Sequence, residues 1–227
     1  MKRSTVLKIS AIISGVSGLI ILIGTIYPIA SYEAISKVKY PKLISPISEK
    51  GSTESANRDD TKASNWFVGS KKENFVASKI SYYTISIPKL KIKNATVAIG
   101  GEDLSKSLIQ YPGTALPGRD GNAVIFGHSI LPRFYDPKDY VAIFSTLPTL
   151  NKGDEIEVNY DGVSFLYRVM DMFEVLPTDI QVLEQDVSDS YLTLVTCTPP
   201  GDPRDPKRLI VRAKVVPPDI SYENTRN

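Results

Sequence analysis

Hydrophobic patterning changes twice along the chain, and each change predicts a different kind of structure. From Ile9 to Tyr32 the sequence carries no charge and reads ISAIISGVSGLIILIGTIYPIASY. About 20 apolar residues are enough for a helix to cross a bilayer. A cleaved signal peptide has a shorter apolar core, roughly 7–15 residues, and then a small-x-small site. Pro28-Ile29-Ala30 is a poor site of that kind. An uncleaved transmembrane anchor over 9–32 is therefore expected. Lys2, Arg3 and Lys8 precede it. Basic flanks favour the cytoplasmic side, so residues 1–8 are expected inside and the rest of the chain outside.

Residues 33–79 break the pattern. The run SPISEKGSTESANRDDTKASNW is rich in Ser, Thr and charge and has few apolar positions. Such composition buries too little surface to offset the entropy of ordering. It reads as an extracellular stalk that holds the following domain off the membrane. Trp66-Phe67-Val68 and Phe75-Val76 interrupt it. These either pack on the domain or form a short helix, unless the segment stays partly disordered.

From Ser81 the period shortens to that of strands. Strands are expected over Tyr82–Ile87, Ala95–Ile99, Ala123–Phe126, Asp154–Tyr160, Tyr191–Cys197 and Leu209–Val216. A longer strand with a bend is expected over Val163–Val175, after the Asp161-Gly162 turn. Glu102–Ile109 and Tyr140–Leu147 are expected to be short helical pieces. Short strands divided by Gly, Pro and Asp turns predict an all-β sandwich or barrel. No strand alternates with a long helix, which argues against a doubly wound fold. The domain is expected over 80–218, followed by a polar tail over 219–227.

Composition narrows the function. Hydrophobic residues make up 42% and charged residues 23%, which suits a globular domain. The net charge is only +2, so nothing calls for a nucleic-acid partner. The chain has one Cys and one His. One Cys makes no intrachain disulfide, and the pair is too few for a structural zinc site.

Three residues fall at strand ends: His128 after AVIF, Cys197 at the end of YLTLVTC, and Arg208 at the start of the last strand. Period-2 geometry puts Val195 and Cys197 on one face, and likewise Arg208, Ile210 and Arg212. A thiolate is the nucleophile, and an ordinary thiol needs help to become one. A nearby imidazole can activate it and later protonate a leaving amine. A guanidinium stays charged and can stabilise an oxyanion. Taken singly, each has a bland reading: a buried thiol, a satisfied histidine, a solvated strand charge. Arg204 and Arg212 are backups for Arg208.

The context of these residues resembles the sortase family. Thr193-Leu194-Val195-Thr196-Cys197 is similar to its Thr-Leu-x-Thr-Cys motif, and Arg208 follows at the family's spacing. Gly121-Asn122 and Gly127-His128 resemble its Gly-Asn and Gly-His pairs. Tyr111-Pro112-Gly113-Thr114-Ala115 and Leu150-Asn151-Lys152-Gly153-Asp154 are further similar pieces. The resemblance covers Tyr82 to Val216. It implies a closed eight-stranded β-barrel and a cysteine transpeptidase that cleaves a sorting signal of the Leu-Pro-x-Thr-Gly kind. It implies Cys197 as the thioester-forming nucleophile, His128 as general acid and base, and Arg208 as oxyanion or substrate stabiliser. Thr196 would line the substrate site. The acceptor would be a peptidoglycan precursor or a pilin amine. The Thr-Cys-Thr-Pro run resembles pilin-polymerising class C members. A polar C-terminal tail and the lack of Asp-Pro in 33–80 weaken that reading, so a housekeeping or class D-like anchoring enzyme stands beside the pilin-type class C one. No cofactor is expected; one family class binds calcium through acidic loop residues, which are assigned to no position of this sequence, so calcium activation stays open. The alternatives are a cysteine endopeptidase with water as acceptor, and a non-enzymatic surface β-domain such as an adhesin.

Overall fold

A computed structural model describes residues 3–40, 61–67, 82–202 and 207–217. Val68, Phe75-Val76, Arg204 and the 219–227 tail lie outside the described residues. One long helix, α1 (Arg3–Lys39), precedes a domain of eight strands. The strands are β1 (Tyr82–Ile87), β2 (Ile92–Ile99), β3 (Leu108–Gln110), β4 (Gly121–Phe126), β5 (Glu155–Tyr160), β6 (Val163–Val175), β7 (Ser190–Thr198) and β8 (Lys207–Val215). They close into a barrel in the order β1-β2-β3-β4-β7-β8-β6-β5. Closure leaves no unpaired sheet edge. Two pairings are parallel, β2 with β3 and β4 with β7; the others are antiparallel.

The strand expectations hold, with ends that move by a few residues. The bend expected in β6 is a register shift between Val169 and Asp171. Two helical expectations do not hold. Glu102–Ile109 forms a turn at Leu104–Lys106 and then enters β3. Leu108–Gln110 lies between β2 and β4, so pairing with distant strands overrides local spacing. Tyr140–Leu147 forms successive turns, with Ala142 N–H donating to the Asp139 carbonyl and Ser145 N–H to that of Ala142. A single 3-10 turn follows at Leu147–Thr149, where Pro148 lacks the N–H a longer helix would use.

Helix α1 runs beyond the expected span. The apolar part of α1 has no residue buried within the protein, as suits a candidate membrane span. Residues 33–39, expected as stalk, continue the helix and pack on the barrel. Ser36 and Tyr40 are buried there. The Lys39 ammonium donates to the Pro148 and Leu150 carbonyls at 2.7 and 3.0 Å. The Tyr40 hydroxyl donates to the Pro148 carbonyl at 3.0 Å.

Alternation along the strands divides the barrel wall into two faces. Leu192, Leu194, Leu209 and Val211 join the main core, with Ile85, Ile125 and Tyr167. Val195, Ile210, Val124 and Phe126 belong to a second cluster, with Trp66 and Phe67. The second cluster lies on the outer face, and the short segment Thr61–Phe67 covers it. Ala63 N–H donates to the Glu102 carbonyl, and Leu104 N–H to that of Thr61. Trp66 and Phe67 thus pack on the domain.

Candidate active site

β7 ends in Val195, Thr196, Cys197 and Thr198. Val195 lies in the outer cluster, so the period-2 rule puts Cys197 on the outer face too. Cys197 is partly exposed. Its neighbour on β8 is Arg208, directly paired across the antiparallel ladder. The Arg208 guanidinium reaches back along that face, with Nη1 at 3.4 Å from the Cys197 sulfur. A guanidinium beside a sulfur favours thiolate over thiol.

His128 reaches the same place from β4. Strands β4 and β7 run parallel with Phe126 opposite Val195. Gly127 N–H then donates to the Val195 carbonyl at 3.1 Å. Continuing that register past the last paired residues brings His128 beside Cys197. The tight strand end needs glycine: a Cβ at Gly127 would meet the Phe144 ring at 2.4 Å. The His128 carbonyl accepts from Phe144 N–H at 2.9 Å, which fixes the backbone beyond the strand. Ser129 Oγ donates to the Cys197 carbonyl at 2.7 Å, a direct tie between the two strand ends.

Trp66 closes the site from above. Its ring stacks on Phe126 at 5.3 Å and tilts against His128 at 6.0 Å, centroid to centroid. The Arg208 guanidinium carbon lies 5.1 Å from the centre of the same ring. Arg208 Nε donates to the Trp66 carbonyl at 3.3 Å. Trp66 and Arg208 are both 0% exposed. A buried guanidinium costs heavily unless its donors are matched, and the Trp66 carbonyl, the sulfur, the indole face and the Lys207 carbonyl are among the partners that hold it there. The sequence shows Trp66 as a lone tryptophan in a polar run, which was the available sign that this segment packs.

Thr196, between Val195 and Cys197, is fully buried. Its hydroxyl donates to the Gly127 carbonyl at 2.8 Å and clamps the ends of β4 and β7 together. Arg212, one of the backups, lies two pleats from Cys197, paired with Thr193, with its guanidinium 5.9 Å from the Phe173 ring centre. Sequence reasoning missed Glu174, a buried carboxylate near the end of β6. It accepts from the Tyr32 hydroxyl of α1 at 2.7 Å and from the Thr198 hydroxyl at 3.2 Å. Lys207 lies 3.8 Å from its other oxygen. Nothing in the local pattern FEVL marks this role. Among the described residues no three His, Cys, Asp or Glu side chains are grouped to hold a metal.

Residues 85–216 match the family model of the sortase domain. A curated relative, Sortase A of Streptococcus agalactiae serotype III, is 26% identical over 132 residues, 58% of this chain. This chain spans about half the length of that relative, 51%. A Clostridium perfringens sortase D5 transpeptidase shares 29% identity and a TM-score of 0.51, over 60% of this chain and 79% of that one. Sortase C-1 of Actinomyces oris shares 28% and a TM-score of 0.53, over 62% of this chain and 76% of that one. A lid mutant of Corynebacterium diphtheriae sortase A shares 30% and a TM-score of 0.53, over 66% of this chain and 77% of that one. The matched region runs from within β1 to the end of β8 and takes in Cys197, His128, Arg208 and Thr196, more than half of the chain, and on that ground the chain belongs to the sortase family.

Proposed function

We propose that this protein is a membrane-anchored cysteine transpeptidase acting on proteins that carry a Leu-Pro-x-Thr-Gly-like sorting signal. The Cys197 thiolate attacks the carbonyl carbon of the signal's Thr. Arg208 stabilises the oxyanion that forms. His128 gives a proton to the departing Gly amine, leaving a thioester on Cys197. An amine of a peptidoglycan precursor or a pilin then attacks the thioester, and His128 takes up its proton. The barrel faces the outside of the cell, and basic residues before the span hold the N-terminus in the cytoplasm. The three solved relatives come from classes A, C and D at similar identity, so the likeness singles out none of them.

The observation that carries this reading is the Arg208 guanidinium on the Cys197 sulfur, one strand from His128. The full chain in detergent, given a sorting-signal peptide, should join the cleaved acyl part to an added amine. Cys197→Ala should abolish product while leaving the melting temperature unchanged. Cleavage at a rate and with products indifferent to any amine would replace the transferase with an endopeptidase. No cleavage of any such peptide would favour a binding module.

A further inference from the structure

The anchor helix and the barrel meet along a line that fixes which end of the barrel faces the bilayer. Going outward along α1, Gly24 meets Arg133, Tyr32 meets Glu174, and Tyr40 shares a cleft with Met170 and Met172. Later helix residues therefore meet earlier residues of β6, and the two run in opposite directions. β6 ends at Val175, which pairs with Arg208, which pairs with Cys197. The Cys197 end of the barrel is accordingly the end nearer the apolar part of the helix.

The loop after His128 reaches furthest down. Arg133 Nη1 donates to the Gly24 carbonyl at 3.2 Å. A Cβ at Gly24 would lie 3.0 Å from that nitrogen, so the guanidinium sits tightly against the bare helix backbone. Gly24 lies inside the uncharged 9–32 run, one turn before Tyr27, which is 70% exposed. Tyrosines concentrate at the membrane–water boundary. The loop thus stands at the depth where headgroups meet acyl chains. Its exposed side chains suit that depth: Phe134 is 56% exposed, and the Arg133 guanidinium lies 4.5 Å from its ring centre. An aromatic ring for the acyl boundary beside a cation for lipid phosphate is the chemistry of an interfacial anchor. The loop is also held firmly from behind. The Leu131 backbone packs at the Gly201 turn, where a Cβ would meet Leu131 N at 2.7 Å. Tyr135 donates its hydroxyl to the Leu90 carbonyl.

We propose that the Leu131–Phe134 loop is a membrane-resting surface: it seats the catalytic end of the barrel on the phospholipid bilayer that α1 crosses. Phe134 enters the acyl boundary and Arg133 binds lipid phosphate. His128 stands five residues from that contact, so the site works close to the bilayer surface rather than at the end of a long stalk. The inference rests on α1 spanning the membrane.

The test uses the full chain in phosphatidylcholine and phosphatidylglycerol vesicles that contain phosphatidylcholine brominated in the upper acyl chain. Trp66 is the only native tryptophan, and the parent chain supplies its background. Three variants each add one probe: Phe134→Trp in the loop, Ile21→Trp on the helix, and Val187→Trp, 71% exposed, in the loop that leads to the opposite end of the barrel. Bromolipid should quench much of the added emission of Phe134→Trp and Ile21→Trp and little of that of Val187→Trp. Quenching of Ile21→Trp with Phe134→Trp no more quenched than Val187→Trp would overturn the membrane-resting loop while leaving the span intact. Absence of quenching at Ile21→Trp would overturn both.

Discussion

The two faces of the barrel wall are made by the same strands and do different work. On the inner face, Leu192, Leu194, Leu209 and Val211 fill a continuous apolar core. On the outer face, Val195, Ile210 and Phe126 form a smaller apolar bed that ends in Cys197, Arg208 and His128. One residue of shift along β7 moves a side chain from one face to the other. Stability and chemistry are therefore assigned to alternate positions, and a substitution on one face can leave the other almost untouched. The difference also lies in what does the burying. Inner residues are buried by the barrel itself. Arg208 is buried by Trp66, which belongs to the segment before the barrel.

The contrast breaks first, if it breaks at all, at Arg208 and Leu194, which sit on adjacent strands and opposite faces. Arg208→Ala should lower kcat/KM by roughly 10²–10³, the loss typical of removing one oxyanion donor. Its melting temperature should fall much less than that of Leu194→Ala, for which a core truncation costs about 2–5 kcal/mol. Leu194→Ala should keep near-normal kcat/KM at temperatures where it is folded. Arg208→Lys should stay poor, because an ammonium lacks the planar fork. Full activity in Arg208→Ala would remove this residue from the chemistry and turn attention to Arg204.

Much of this contrast is legible in the sequence, because a strand writes its faces in alternate letters. YLTLVTC shows directly that Val195 and Cys197 share a side, and the lone Cys, His and Arg208 fall at strand ends. What the letters lack is anything set by distant pairing. LIQ becomes β3 only because β2 and β4 flank it. Charge resumes at Glu33, yet the helix continues to Lys39, where Lys39 and Tyr40 find carbonyls on the barrel. Taken singly, Arg208 reads as a solvated charge, and its burial is not legible because its cover comes from a segment 142 positions earlier. Glu174 is equally silent, because its partners Tyr32 and Thr198 come from two other elements.

A smaller effect sharpens the role of the outside cover. Burial of the Trp66 side chain contributes about 2 kcal/mol to holding the Thr61–Phe67 segment down, or roughly thirtyfold in an opening equilibrium. The Trp66 ring packs against His128 and Arg208, the two neighbours of Cys197, so Trp66→Ala should raise the rate of Cys197 alkylation by iodoacetamide by a comparable factor. Phe67→Ala, at the edge of the same cluster, should raise it less. An unchanged rate in Trp66→Ala would mean that the segment decorates the outer face without governing access to it.

The smallest expected effect falls on Thr196, the one site residue that connects the faces. Its hydroxyl is buried and bonded to the Gly127 carbonyl, one residue before His128. Thr196→Val keeps the shape and deletes that bond, a loss of about 1 kcal/mol. If the bond only welds β4 to β7, the melting temperature falls slightly and kcat stays the same. If it also sets the position of His128, kcat falls by about fivefold, since about 1.4 kcal/mol corresponds to tenfold. KM for the peptide should not move, because Gly127, not substrate, is the partner. Thr196→Ser restores the hydroxyl and should restore kcat. A rise in KM with kcat intact would instead make Thr196 a substrate contact, and the division between an inner face for stability and an outer face for chemistry would then fail at the residue next to the nucleophile.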